Sequence, residues 1–257
     1  MQARRYPFRQ GWFWVSEGIR LWRRNPAVLI FASFSYLLFL IVIGSIPTFG
    51  QVLAYLIMPV ISLGVLNICR TVDQGQKPGP DVLLSGFRSN VRALVSVGGL
   101  YFIGSLGVLL LTMPFDDGTL MRILTGTESF DPEAELPDLG SALFVAVLFS
   151  LPVLATYWFA PVLVGWWQMP ALKAMFFSFY ACVQNWRPML AFGLTLALML
   201  GILPNVVIGM ATMVSPMLGT MLMLTLPLLL IPVTFASFYA NARDIFGPDE
   251  TSVADPA

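Results

Sequence analysis

Side chains able to do chemistry are few in this chain, and none falls in a pattern that a reaction needs. Histidine is absent. That excludes Ser-His triads, histidine-ligated haem, imidazole metal sites and histidine proton shuttles. Two cysteines, Cys69 and Cys182, make no metal site and read as small apolar fillers kept reduced. Carboxylates cluster once, in residues 114–140, where Asp116, Asp117, Glu128, Asp131, Glu133, Glu135 and Asp138 stand against Arg122 alone. A calcium loop needs alternating oxygen ligands and a glycine turn. Residues 131–138, DPEAELPD, supply neither, so a solvated acidic loop is expected. Pro78-Gly79-Pro80 and Gly98-Gly99 are too sparse to cradle a phosphate, and no Walker, Rossmann, nucleophile-elbow or zincin motif occurs. No catalytic residue, metal or cofactor is expected.

The elements that would have to position such residues are apolar. The chain is 57% hydrophobic and 11% charged, against about 25% charged in soluble domains. Its net charge of zero offers nothing to nucleic acid. About 20 apolar residues suffice for one helical crossing of a bilayer. The uncharged stretches predict six crossings, near residues 27–46, 51–69, 93–113, 141–163, 188–210 and 217–240. Threading the chain through them leaves only Arg122, of the 14 Lys and Arg residues, on the second side. Cytoplasmic loops collect Lys and Arg, so both termini are expected in the cytoplasm and loop 114–140 in the periplasm. The run from Ala27 to Ile46 exceeds the 7–15 residues of a signal-peptide core and reads as an uncleaved first span. Residues 1–246 form one integral membrane domain in this reading, and 247–257 a disordered cytoplasmic tail.

Three amphipathic pieces precede three hairpins. In residues 11–25, Trp12, Val15, Ile19 and Trp22 share one helical face, with Ser16, Glu17, Arg20 and Arg24 on another. A shorter piece sets Leu83, Leu84, Phe87 and Val91 against Asp81, Ser85, Arg88 and Arg92. In residues 170–186, Leu172, Met175, Phe176, Phe179 and Val183 make an apolar stripe, and Ala174, Ser178, Ala181 and Asn185 a small-residue stripe. The result is an all-α polytopic membrane protein: six transmembrane helices in three hairpins, each preceded by an interfacial helix. A parallel internal repeat supports it. Met58-Pro59-Val60, Ala160-Pro161-Val162 and Ile231-Pro232-Val233 recur in the return spans, and Ser16 and Ser178 each precede a proline, Pro26 and Pro188, by ten residues.

Inside the spans there is no Asp, Glu, Lys or Arg. Such residues mark proton relays, ion coupling and voltage sensing, so an ion-coupled transporter is disfavoured. Prolines Pro59, Pro152, Pro161, Pro204, Pro227 and Pro232 remove helix bonds and bend their helices. A cavity between the return helices would involve Pro59, Pro161, Pro232 and Asn205. Gly201, Asn205 and Gly209 form a close-approach face. Trp12, Trp22, Trp166, Trp167 and Trp186, with Arg20 and Arg24, suit the headgroup boundary as interfacial anchors.

Gly11-Trp12-Phe13-Trp14, Gly18, Leu21-Trp22 and Pro26 resemble the opening signature of six-helix inner-membrane proteins of Gram-negative bacteria. Residues 159–164 (FAPVLV), then Pro170, Ala174, Ser178, Asn185 and Pro188, resemble that family's second signature. More distantly, the helix-plus-hairpin unit is similar to the membrane domain fused to some bacterial glycerophosphodiester phosphodiesterases. The resemblance implies fold and location but no activity, because the inner-membrane family has no established chemistry to transfer. Phosphodiester cleavage does not carry over either, because the hydrolytic domain, with its acidic and His residues, is absent here. The expected role is a non-catalytic scaffold organising membrane lipid or a membrane protein partner. The alternative is a facilitator or pore for a neutral or amphiphilic solute. A lipid-headgroup enzyme using Glu17 or Asp81 as base ranks last.

Overall fold

The computed structural model describes residues 3–47, 49–124 and 139–247. Most of the acidic stretch and the tail beyond Gly247 therefore lie outside the described residues. Among those described, the chain is helical without strands. The first unit is α1 (Gln10–Arg24), α2 (Pro26–Gly44) and α3 (Gly50–Asp73). The second is a 3-10 helix (Pro80–Arg88), α4 (Val91–Asp116), the short α5 (Thr119–Leu124), α6 (Leu139–Trp158) and α7 (Ala160–Trp167). The third is α8 (Ala171–Gln184), α9 (Trp186–Ala197), a π-helical turn (Leu198–Ile202), α10 (Leu203–Val214) and α11 (Pro216–Phe246). Six helical stretches are long and apolar enough to cross a membrane. The 19 residues of α2 rise about 28 Å at 1.5 Å each, close to the hydrocarbon thickness of a bilayer.

The ends and breaks of these helices have local causes. Asn25 and Asn90 cap α2 and α4 by accepting from the N–H groups of Val28 (3.4 Å) and Ala93 (3.3 Å). Asn185 opens α9 in the equivalent place, but its side chain is used elsewhere. Pro204 lacks the N–H that would continue the ladder, and the π turn sits immediately before it. The fourth span breaks at Phe159, between α6 and α7, two residues before Pro161. There the Ser178 hydroxyl enters the gap: it accepts from Phe159 N (2.8 Å) and donates to Ala155 O (2.7 Å). A side chain of α8 thus replaces one missing turn of backbone bonding.

Each unit's leading helix lies on the return helix of the unit before it. The 3-10 helix packs on α3, α8 on α6 and α7, and α1 on α11, which closes the three units into a ring. Glycine makes two of these contacts. A Cβ at Gly86 would overlap the carbonyl oxygen of Val60, and one at Gly18 the Ser237 side chain and the Val233 carbonyl. Both carbonyls belong to the Pro-Val pairs, so the sequence repeat marks the lines along which units meet. Backbones this close suit Cα–H···O contacts, which only a residue without Cβ permits. The expected second interfacial helix is thus a tight 3-10 segment fixed to α3.

Packing is uneven along the membrane normal. In α11 the buried residues run from Pro232 to Phe246, with Gly219 alone beyond them; in α3 they run from Pro59 to Val72, with Gly50 alone. We call the end bearing α1, α8 and both described termini the basic face. The core is concentrated towards it. Half of α3's most apolar window is buried (50%), against 11–28% for the other five spans, so α3 is the axis around which the rest are arranged. The seams α2/α11 and α3/α4 are closed, whereas α6 makes no extended packing with α9 or α10. There the contact is aromatic, with the Trp158 and Phe192 rings edge-on at 6.3 Å.

Candidate functional site

Two features stand out: a polar network at the basic face, and a cavity between the return helices. The network begins with Trp14, which is wholly buried while Trp12 is 61% exposed. The buried face of α1 is Gly11, Trp14, Val15, Gly18 and Leu21. This corrects the expected apolar face of Trp12, Val15, Ile19 and Trp22. Glycines at 11 and 18 admit neighbouring backbone, and Trp14 fills the space between them. Its Nε1 donates to Asp244 Oδ2 (3.0 Å), as does Gln10 Nε2 (2.9 Å). Arg243 donates to Asp244 Oδ1 through Nε (3.1 Å) and to Asp73 Oδ2 through Nη1 (2.8 Å). Tyr239 OH reaches the same Asp73 oxygen at 3.1 Å, and Arg24 Nη1 donates to the Asp73 carbonyl at 3.0 Å. Arg20 donates to Glu17 through Nε at 2.9 Å. Asn185, fully buried, accepts from Tyr6 N (3.0 Å) and donates to Arg4 O (2.9 Å).

The arrangement binds the first, third and last helices into one plate. Chemically it is saturated: the carboxylates are held by guanidinium, indole, amide and phenol donors. Arg20 and Arg24, expected as lipid anchors, pair with Glu17 and Asp73 while their side chains stay 46% and 42% exposed. Trp166 is likewise turned inward. Its Nε1 donates to Asn67 Oδ1 (2.8 Å), Asn67 Nδ2 donates to Ser85 Oγ (2.8 Å), and the Arg70 guanidinium lies 5.2 Å from the Trp166 ring centroid. Trp22 is half-buried, with its Nε1 lacking a hydrogen-bond partner among the described residues. Trp167 packs beside Phe246 (6.1 Å), and Trp186 is exposed under Arg187 (5.4 Å).

A cavity of about 240 Å³ lies between α2, α3, α6, α7 and α11, lined among others by Tyr36, Met58, Ser62, Tyr157, Pro161 and Thr234. The Ser62 and Thr234 hydroxyls bond back to Pro59 O (3.1 Å) and Leu230 O (2.8 Å), so its surface is largely apolar. No charged residue lines it. A wider crevice of about 750 Å³ opens at the opposite face, and Met58 forms part of both walls. Of the four residues expected at a cavity, Pro161 lines it. Pro59 and Pro232 are buried beside lining residues on α3 and α11. Asn205 is not there: it is exposed on α10, and its Nδ2 donates to Gly201 O of the same helix at 2.7 Å. A Cβ on Gly201 or Gly209 would meet nothing, so the expected close-approach face is unused within this chain.

Asp116 departs from the expected solvated loop. It is buried (1% exposed) and accepts from Gly118 N (3.0 Å) and Leu120 N (2.8 Å), fixing the turn into α5. Sequence reading missed Trp14, Asp73 and Asp244. Spacing held the signal for the first, which lies three residues after Gly11 and four before Gly18. Glycines inside a helix cost about 1 kcal/mol each unless packing needs them.

Six apolar helices in three linked units, with an ionic plate at one end and exposed Leu, Ile, Phe and Met along the spans, define a multi-pass helical membrane protein. The chain is 33% identical over 258 aligned residues to a probable inner membrane protein of Burkholderia thailandensis, covering 97% of this chain and 96% of that one. It belongs to that family of inner-membrane proteins. No family model matches the sequence, and no solved structure matches it.

Proposed function

We propose that the protein is a non-catalytic membrane scaffold that organises lipid and membrane partners around its ring, with both termini and the basic face in the cytoplasm. The observation that carries this reading is the saturated plate. Asp73, Asp244, Glu17, Arg20, Arg24 and Arg243 engage one another, while the spans turn large apolar side chains outward. Such a body holds its shape and offers surface.

The test is to purify the full chain from membranes in mild detergent and record its native mass spectrum. A scaffold of this kind retains a small, reproducible number of phospholipids per chain; a bare chain would sink the lipid half of the reading. A second reading, a facilitator for a small neutral solute, is favoured by the uncharged cavity and the crevice that share Met58. Against it, the basic-face end beyond Leu66 is closed by the Trp166–Tyr239 contact (6.1 Å) and the Arg243–Asp73 pair. Proteoliposomes settle the choice. Glycerol-driven swelling no faster than in empty vesicles rejects the facilitator, and faster swelling abolished by Met58→Trp establishes it.

A further inference from the structure

We propose that the groove where α1 crosses α9 binds one anionic phospholipid, with its phosphate at Arg9 and an acyl chain laid along α9. This rests on the lipid-organising reading above and names the lipid class and its seat. The groove holds about 390 Å³ and is lined by Phe8, Arg9, Trp12, Phe13, Ala191, Leu194 and Thr195.

Charge selects the head. Arg9 is the one charged residue on the wall, and no carboxylate lines it. The nearby acids are committed elsewhere: Glu17 to Arg20 and Arg243, Asp73 to Arg24 and Arg243, Asp244 to Arg243. The guanidinium of Arg9 is exposed, which in a planar, bidentate donor suits a phosphate diester.

Shape and polarity select the tail. Phe8, Trp12, Phe13 and Leu194 are each more than half exposed, at the level where aromatic side chains favour the headgroup boundary. The one polar group on the α9 wall is silenced, since Thr195 Oγ1 donates to Ala191 O at 2.8 Å. An apolar strip therefore runs inward from Arg9. The strip is rigid because a Cβ at Gly11 would overlap the Pro188 carbonyl, so the two helices are locked at their crossing. A free phosphate gains nothing from that apolar wall, and one exposed guanidinium holds a small anion weakly in water. Only a lipid uses both halves.

The experiment is native mass spectrometry of the full chain in neutral detergent, titrated with phosphatidylglycerol, phosphatidylcholine or sn-glycerol 3-phosphate. One phosphatidylglycerol is expected to bind saturably and more tightly than phosphatidylcholine. Arg9→Gln should weaken it about fivefold, the usual contribution of one interfacial cation. Leu194→Trp, which fills the groove at an exposed site with the charge intact, should weaken it at least as much. Arg23→Gln makes the same charge change at an exposed residue of α1 that does not line the groove, and should leave binding unchanged. Equal losses in Arg9→Gln and Arg23→Gln would mean diffuse attraction and overturn the site. So would phosphatidylcholine binding as tightly, or displacement by glycerol phosphate. Retained lipid indifferent to Arg9 and Leu194 defeats this site alone, whereas a chain that holds no lipid of either class defeats the lipid half of the scaffold reading as well.

Discussion

Asp244 accepts from Trp14 Nε1 and Gln10 Nε2 of α1 and from Arg243 beside it, so one carboxylate joins the first helix to the last. Its side chain is 16% exposed, dry enough for the loss of these bonds to matter. Asp244→Ala leaves the Trp14 indole and the Gln10 amide without this acceptor and takes one of two carboxylates bonded to Arg243, at a cost of about 2–3 kcal/mol. In detergent that should lower the Tm by roughly 5–10 °C, with Asp244→Asn falling between because its carbonyl still accepts from Trp14. An unchanged Tm in Asp244→Ala would show that the plate adds nothing to stability. None of this was legible at the residue scale. Counting cations across the membrane uses Arg243 and ignores its neighbour, because sidedness depends on Lys and Arg while Asp and Glu contribute little. Trp12 and Trp14 likewise look alike in sequence, although two residues on a helix turn them about 200° apart, one to lipid and one to the core.

Helices were largely legible, and the faces they bury were not. The six spans follow from length and polarity alone; five of them run a few residues past the expected limits, while the first stops at Gly44, two residues short. Faces were misjudged wherever glycine or small residues make the contact. On α8 the small stripe of Ala174, Ser178 and Ala181 is buried, while Leu172 and Phe176 of the apolar stripe are 72% and 65% exposed. In lipid, large apolar side chains gain little by facing protein, and close backbone approach gains more. The glycines separate the two situations cleanly. A Cβ at Gly86 would meet the fixed carbonyl of Val60, whereas one at Gly209 would meet nothing. Gly86→Ala should therefore push the 3-10 helix off α3 and cost about 1–3 kcal/mol or more. Gly209→Ala should leave the thermal midpoint unchanged or slightly raised through better helix propensity. A comparison of the two melting curves checks both, and equal losses would refute the packing described for the second unit.

At the scale of the molecule, the Pro-Val repeat announced three units but not how they close. Closure requires knowing which leading helix lies on which return helix, and hydropathy carries no information on pairing. The ring puts the seam between first and last units under α1, which lies on α11 and α9, so the chain's ends are its keystone. Unit three is held to unit two by Ser178 and to unit one by Gly18 and Asp244. Its covalent tie to unit two is the short turn Gln168–Pro170. That tie should be dispensable. Residues 1–168 and 169–257, co-expressed as separate chains with an affinity tag on the first, are expected to co-purify in detergent at near-equal amounts. Removing residues 1–24 from the tagged fragment takes away α1 and its packing on α9 and α11, leaving the α8 contacts and those of α11 with α2 and α3, so recovery of the partner should fall severalfold. Gly18→Leu in the intact fragment should do the same by lifting α1 from α11. If the fragments associate equally well without α1, then neighbouring units hold one another along the membrane spans and the ring contributes no closure.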